Sequence, residues 1–158
     1  MNNDPYLTNE GKRIHFVNSL REKIGCPYHW GANGPDLFDC SGLIVWGLIT
    51  TGLISRDTDL SALGLANRFR KDHTVRQKPT KPGELCFYGP NQHTINHVMA
   101  VLTTWGGGRV ILVGARGGTS GTTSLGGAYS QRAYVDVVTG EYWQSKLVLT
   151  LDPFATEL

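Results

Sequence analysis

The spacing of apolar residues in the first half of the chain predicts three helices. Between residues 8 and 24, apolar side chains recur every three or four positions, and Gly25 follows where a left-handed residue ends many helices. Residues 41–51 are apolar almost all round, which predicts a buried helix. A third, amphipathic helix is expected to begin near Ser61. The apolar face of the first helix is expected to consist of Ile14, Val17, Leu20 and Ile24.

After Pro82 and Gly83 the pattern changes to short runs of β-branched and apolar residues separated by Gly, Pro, Asn or Asp, which predicts strands. The predicted strands are residues 85–88, 97–103, 110–115, 134–138 and 147–151. Three consecutive glycines, 106–108, are expected to turn the second strand back onto the third as a hairpin. The glycine-rich residues 114–127 are expected to form a mobile loop. Helices followed by strands indicate an α+β fold, with the helices packed on an antiparallel sheet.

Composition narrows the classes of protein that the chain can represent. Its 158 residues suit a single domain, 1–158, and its net charge of +2 leaves no dense basic patch for a nucleic acid. The longest apolar run, residues 43–49, is far shorter than the ~20 residues of a membrane span. The three cysteines, Cys26, Cys40 and Cys86, are an odd number at spacings that match no zinc site, so we expect at least one free thiol and no metal.

Cys40 is the strongest candidate for a chemical role. It lies where a loop rich in Gly and Pro meets the buried helix, and the positive end of a helix dipole favours a thiolate, the nucleophilic form of cysteine. The free N–H groups of the first helical turn can also stabilise an oxyanion. His97, at the start of a predicted strand, is the candidate base. From position alone, a small buried cysteine and a structural histidine are the commoner alternatives.

Four segments favour the catalytic interpretation because they occur in a fixed order. They are Tyr28-His29-Trp30-Gly31, Phe38-Asp39-Cys40-Ser41-Gly42-Leu43, Lys81-Pro82-Gly83-Glu84-Leu85-Cys86-Phe87-Tyr88 and His97-Val98-Met99-Ala100-Val101. The set resembles the NlpC-type family of papain-like cell-wall cysteine peptidases, from about residue 26 to residue 115. The resemblance implies a half-papain fold in which the nucleophile helix packs on an antiparallel sheet. It also implies cleavage of amide bonds in the stem peptides of bacterial peptidoglycan, most commonly after γ-linked D-glutamate.

The resemblance also assigns a substrate-binding role to residues around Cys40. In the family, a Tyr ahead of the nucleophile and the Asp and Ser beside it hold the free amine end of the stem peptide, and these positions match Tyr28, Asp39 and Ser41. Asp39 equally suits the N-cap of the helix, a structural role that does not exclude the first. Arg56 resembles the family's Pro-Arg-x-Ser/Thr segment without its Pro, and a solvated Arg is the alternative.

The family's third catalytic position departs from the pattern. It is usually a His that orients the base, and it matches Gly114, which has no side chain. Pairing of the hairpin strands is expected to place Gly114 opposite His97. Arg116 is a poor substitute, because a guanidinium has donors only. The orienting role is then left to a backbone carbonyl, a water, or one of Gln92, His93 and Asn96.

We therefore predict a thiol hydrolase that needs no metal or organic cofactor, in which Cys40 attacks a stem-peptide amide and His97 transfers the proton. No secretory signal is visible in the first residues, so the protein is expected to be made in the cytosol and to reach the wall by release or delivery, as a phage lysin or a tail-associated hydrolase does. Phage tail or wall-targeting components are further expected partners. The alternatives are a structural or wall-binding module of the same fold without turnover, and an amidase or acyltransferase of that fold.

Overall fold

Four helices and six strands make up the part of the chain that the computed structural model describes, namely residues 8–70, the backbone of 75–76, and residues 78–155. The helices are α1 (Asn9–Glu22), α2 (Cys40–Thr50), α3 (Ala62–Arg70) and α4 (Leu125–Gln131). The strands are β1 (Val75–Arg76), β2 (Leu85–Tyr88), β3 (His97–Trp105), β4 (Arg109–Arg116), β5 (Tyr134–Thr139) and β6 (Leu147–Leu151). They form one antiparallel sheet in the order β1-β6-β2-β3-β4-β5. The predicted α+β fold is confirmed.

Helices α1 and α2 pack closely against each other and against one face of the sheet. Gly47 of α2 makes the close approach possible, because a Cβ there would lie 2.8 Å from the ring of Phe16 and 2.9 Å from Leu20. The buried face of α1 therefore includes Phe16, Val17 and Leu20. The prediction that Ile14 and Ile24 belong to this face is wrong, since both are exposed.

The two faces of the sheet carry different apolar clusters. On β3, Val98, Ala100 and Leu102 belong to the main core under the helices. The alternating residues Met99 and Val101 belong to a smaller cluster on the opposite face, together with Cys86, Tyr88, Val110 and Leu112. His97 pairs directly with Tyr88 across the strands, so its side chain shares this second face. None of the helices in the described residues has the length and apolar character needed to cross a membrane.

The β3–β4 hairpin differs in register from the prediction. Strand β3 continues to Trp105, which pairs with Arg109, and a bulge interrupts the pairing between Val101 and Thr103. Ala100 then pairs with Val113, which brings Met99 against Gly114. The expected position of Gly114 directly opposite His97 is therefore wrong.

The glycine-rich residues 114–127 are more regular than predicted. Strand β4 includes Gly114 and ends at Arg116, and α4 begins at Leu125 behind the N-cap Ser124. Between them, Thr122 is fully buried. Its carbonyl accepts from the N–H of Trp30 at 2.8 Å, and its hydroxyl donates to Gln131 at 2.6 Å. The expected mobile loop is thus shorter, and it is tied to the loop that precedes α2.

Candidate active site

The start of α2 owes its geometry to two residues that flank the candidate nucleophile. Asp39 is the N-cap: its Oδ1 accepts from the N–H of Gly42 at 2.7 Å and from the Ser41 hydroxyl at 3.3 Å. Its Oδ2 accepts from the N–H of Gly31 at 2.8 Å. A Cβ on Gly42 would collide with the carbonyl oxygen of Ala32, so only glycine lets the preceding loop close on the helix. This packing holds Cys40 at the first turn.

Cys40 and His97 come together where the N-terminus of α2 reaches the end of β3. The backbone N–H of Val98, the residue next to His97, lies close enough to Cys40 to lower the pKa of its thiol. Tyr142, in the connection between β5 and β6, neighbours both residues. Its ring centroid lies 6.2 Å from that of His97. Burial raises the pKa of its hydroxyl, and a negative charge on Cys40 adds a smaller increase. The structure therefore brings the two predicted catalytic residues to one place.

The surroundings of Cys40 and His97 favour their neutral forms. Burial raises the pKa of Cys40 to about 11, and the negative charge of Asp39 adds to this. The backbone N–H groups near the sulfur act in the opposite direction, as expected at a helix N-terminus, but they are outweighed. Burial lowers the pKa of His97 to about 4, with a further contribution from the positive charge of Arg116. A resting thiolate, expected from the dipole alone, is therefore not favoured.

His97 is held by aromatic rings and not by a polar side chain. Its Nε2 is buried, and within the described residues no group hydrogen-bonds to it. The predicted orienting residues Gln92, His93 and Asn96 are exposed. The His97 ring centroid lies 5.6 Å from that of Tyr88 and 5.4 Å from that of Trp143, in addition to the contact with Tyr142.

A cleft of about 490 Å³ leads to Cys40. Its charged lining side chains are Asp39 and Asp59, and the amide of Asn33 donates to Asp59 at 3.2 Å. Two carboxylates with polar neighbours suit a cationic ligand such as an ammonium group. The further lining residues include Trp30, Ser41, Ser61, Ile95 and Asn96.

Tyr28 lies behind this cleft and is buried. Burial raises the pKa of its hydroxyl, and negative charges on Cys40 and Asp39 add to the increase, which places Tyr28 close to both. A Cβ on Gly118 would collide with the Tyr28 ring, so the segment after β4 packs directly on it. The predicted binding residues Tyr28, Asp39 and Ser41 therefore share one neighbourhood.

Comparison with known proteins identifies the group to which this arrangement belongs. Residues 25–151 match the NlpC/P60 family. The chain belongs to the NlpC/P60 family.

Relatives in this family differ widely in total length. The chain is 32% identical over 112 residues to the probable endopeptidase p60 of Listeria grayi, which covers 70% of this chain and 20% of that protein. It is 30% identical over 124 residues to the murein DD-endopeptidase MepH of Escherichia coli, covering 75% and 42% respectively. The chain thus spans less than half the length of these two relatives.

A solved NlpC/P60 domain shares the fold over nearly its whole length. The P60 domain of an antigen from M. avium subspecies paratuberculosis superimposes with a TM-score of 0.62 at 20% identity, covering 94% of this chain and 98% of that one.

Two of the remaining predicted site features lie outside the cleft of this NlpC/P60 domain. Arg56 is exposed on the connection between α2 and α3 and is not among the residues that line the cleft. Gly114 lies beside Met99, whose side chain fills the space above it. Among the described residues, no cluster of three or more His, Cys, Asp or Glu side chains is placed to hold a metal ion.

Four residues near the site escaped the sequence analysis as site candidates: Asp59, Arg116, Tyr142 and Trp143. The sequence suggests Arg116 only as a poor hydrogen-bond acceptor for His97. In the structure, the positive charge of Arg116 lowers the pKa of His97. Its Nη2 donates to Asp136 at 2.7 Å, and its guanidinium lies 5.4 Å from the Tyr142 ring centroid. The one sequence signal for Tyr142 and Trp143 is that two aromatic residues stand together just before the last strand.

Proposed function

We propose that the chain hydrolyses amide bonds in the stem peptides of bacterial peptidoglycan, with Cys40 as the nucleophile and His97 as the base. The observation that carries the proposal is the position of the Cys40 thiol. It stands at the first turn of a capped helix and at the end of an acidic cleft. The backbone N–H of Val98, the residue next to His97, acts on its sulfur and favours the thiolate. Membership of the NlpC/P60 family supports the same chemistry.

Because both groups rest in their neutral forms, the proton must move during the attack. His97 takes the thiol proton as the Cys40 sulfur bonds to the substrate carbonyl carbon. The N–H groups of the first turn of α2 are the nearest donors for the oxyanion that develops. When the C–N bond breaks, His97 gives the proton to the leaving amine. A water molecule, activated by His97, then hydrolyses the thioester, and Cys40 regains its proton.

The acidic cleft supports the stem peptide as substrate because that peptide can offer a free amine. Oδ1 of Asp39 already accepts from the N–H of Gly42 and from the Ser41 hydroxyl, but Oδ2, which accepts from the N–H of Gly31, has a second lone pair for a further donor. Asp59 adds a second negative charge on the opposite side of the loop that carries Asn33. Binding of the amine end by Tyr28, Asp39 and Ser41, with cleavage after γ-linked D-glutamate, is part of the proposal.

Mass spectrometry of digested peptidoglycan tests the proposal. The wild-type chain should release fragments with a new amine terminus after γ-linked D-glutamate. Cys40→Ala should reduce this rate by on the order of 10⁴ or more, because the nucleophile is lost while Ala is tolerated in a helix. Cys26→Ala is the matched control: Cys26 is also a half-buried free thiol, and its loss should leave the rate within about twofold.

Two results would overturn the proposal. If the wild-type chain sediments with peptidoglycan but releases no new amine terminus, the fold serves here as a wall-binding module. If Cys40→Ala cleaves as fast as Cys26→Ala, the nucleophile is another group.

A further inference from the structure

His97 lacks the hydrogen-bonding partner that a catalytic histidine ordinarily has. Its Nε2 is buried without a partner in the described part of the chain, and its side chain is only 8% exposed. Gly114 has no side chain to offer, and Met99 occupies the space beside it. An imidazole that transfers a proton must nevertheless keep one orientation, because a misplacement of about 1 Å can cost on the order of 10² in rate.

Three aromatic rings surround the imidazole instead. Tyr88 pairs with His97 across β2 and β3, is 1% exposed, and holds its ring centroid 5.6 Å away. Trp143 lies 5.4 Å away at an interplanar angle of 70°, and Tyr142 lies 6.2 Å away at 62°. The Trp143 and Tyr142 contacts have the edge-to-face geometry that aromatic pairs prefer, and the Tyr88 ring is tilted at 44° to the imidazole. Together the three rings restrict how the imidazole can turn.

The backbone around Tyr142 and Trp143 is shaped to produce this arrangement. In an extended strand, neighbouring side chains point to opposite faces. The rings of Tyr142 and Trp143 instead stack on each other, with their centroids 5.3 Å apart and an interplanar angle of 12°. The left-handed conformation of Trp143, with φ +46° and ψ +31°, allows the stacking. A bulky residue rarely adopts this conformation, and it persists where the surroundings hold it. Trp143 nevertheless remains 51% exposed.

We propose that Tyr88, Tyr142 and Trp143 form an aromatic cage that orients His97 and takes over the task of the absent third catalytic side chain, with Trp143 as the principal positioning residue. The inference rests on the proposed function, since it assumes that His97 is the base. The cage also suits the charge that His97 acquires after it accepts the thiol proton, because the face of an aromatic ring attracts a cation. Arg116 acts against that charge.

Steady-state kinetics on a soluble stem peptide test the cage. Trp143→Ala should lower kcat by about 10- to 100-fold with little change in KM, because the imidazole is displaced while the cleft is intact. Trp143→Phe should recover most of kcat, since it restores a ring. Trp105→Ala is the matched control: Trp105 is 52% exposed and lies at the far end of the same strand as His97, so both kinetic constants should stay within about twofold.

A second measurement needs no substrate and therefore separates the cage from the proposed function. In NMR spectra of protein labelled in its histidine rings, the His97 signals can be assigned with a His97→Gln variant. Trp143→Ala should raise the pKa of His97 towards its ordinary value, because water reaches the ring, whereas Trp105→Ala should leave the pKa unchanged.

Each contrary result has a distinct meaning. If wild-type protein shows no hydrolysis but the NMR titration shifts as expected, the proposed function fails, and with it the catalytic task of the cage, while the shielding of His97 by Trp143 stands. If Trp143→Ala raises KM at unchanged kcat, Trp143 is a substrate contact and the positioning role is overturned. If Trp143→Ala changes neither kcat nor the His97 titration, the cage is overturned as well.

Discussion

At the scale of single residues, burial affects the pKa values of Cys40 and His97 more than the helix on which Cys40 stands. The helix N-terminus does lower the pKa of the thiol through backbone N–H groups. Those few dipoles act on a sulfur that lies among protein atoms and beside the carboxylate of Asp39, and both of these disfavour the thiolate. His97 is opposed in the same way by burial and by Arg116. Under the proposed function we therefore expect general-base catalysis within the bound complex, rather than attack by a preformed ion pair.

The low pKa of His97 predicts activity that persists in acid. A base works in its neutral form, and His97 stays neutral until the pH falls towards about 4, whereas an ordinary histidine is half protonated near pH 6.5. Between pH 5 and 7, kcat/KM on a soluble stem peptide should therefore be nearly constant, and it should fall as the pH drops through about 4. Arg116→Gln should move this acid limb to higher pH, because a positive charge that opposes protonation is removed. An acid limb near pH 6.5 in the wild-type protein would contradict the prediction.

At the scale of the elements, the pairing of β3 with β4 explains why a third catalytic side chain is absent. A Cβ on Gly114 would lie 2.9 Å from both Cγ and Cε of Met99, closer than real Cβ contacts come. Met99 is fully buried in the cluster on that face of the sheet, so it cannot simply swing into solvent. The lack of a side chain at Gly114 therefore complements the volume of the Met99 side chain that fills the space beside it.

This complementarity predicts the outcome of a double-mutant cycle. Gly114→Asn alone should lower the free energy of unfolding by about 1–3 kcal/mol through overpacking, and Met99→Ala alone by about 2–5 kcal/mol through a cavity. In the double variant the two changes should compensate, with a favourable coupling of about 0.5–3 kcal/mol in urea denaturation. The Asn amide then stands on the face of the sheet that carries His97, and kcat should exceed that of Gly114→Asn alone. Strictly additive losses would show that Met99 does not occupy the space beside Gly114.

The elements that could be predicted from the sequence are those whose residues agree with the local rules. Asp39 and Gly42 mark the start of α2 by capping and by close packing, and the strand boundaries follow Gly and Pro. Helix α4 was missed because its first residues after Ser124 are Leu-Gly-Gly, which have low helix propensity apart from the cap. Strand β1 has two residues and is defined by its partner β6 alone.

In the candidate site, too, the residues that follow local sequence rules could be predicted, and those that depend on distant partners could not. Cys40 and His97 could be predicted as candidates because a cysteine at a helix start and a histidine at a strand start are local patterns in the sequence, and because the four ordered segments favour the catalytic interpretation. The role proposed for Trp143 could not be found, because a left-handed tryptophan contradicts the local preference and the partner ring lies some 46 residues away on His97. The bulge between Val101 and Thr103, which sets Gly114 opposite Met99, likewise leaves no mark in the composition of β3.

At the scale of the whole molecule, Arg13 links α1, near the start of the described chain, to the segment before β2 and to the segment after β6. Its guanidinium donates to Asp152 at 2.9 Å and to the carbonyl of Pro82 at 3.0 Å, and it lies over the ring of Phe154. Lys81 also reaches Asp152, at 2.9 Å. Because α1 packs on α2, this buried contact helps to hold α2, with Cys40 at its start, against the sheet that carries His97.

Removal of Asp152 should therefore cost far more stability than removal of the other carboxylate on Arg13. Both side chains of the Arg13–Asp152 pair are over 90% buried, and an uncompensated buried charge costs about 3 kcal/mol or more, so Asp152→Ala should lower the free energy of unfolding by at least that amount. Glu10→Gln is the matched control: Glu10 is 71% exposed, and its loss should cost less than about 1 kcal/mol.

The pH dependence of this difference gives an independent check. Burial alone would raise the pKa of Asp152, but hydrogen bonds from Arg13 and Lys81 outweigh it and hold the pKa below its usual value. The contribution of Asp152 should thus be fully present above the ordinary aspartate pKa, and it should disappear as the pH falls through the lowered one. Urea denaturation of the wild-type, Asp152→Ala and Glu10→Gln proteins at pH 7 and at successively lower pH measures this directly. Equal losses for the two variants at pH 7 would mean that Arg13 is held by its packing on Phe154 and the Pro82 carbonyl, and that the charge of Asp152 does not join α1 to the sheet.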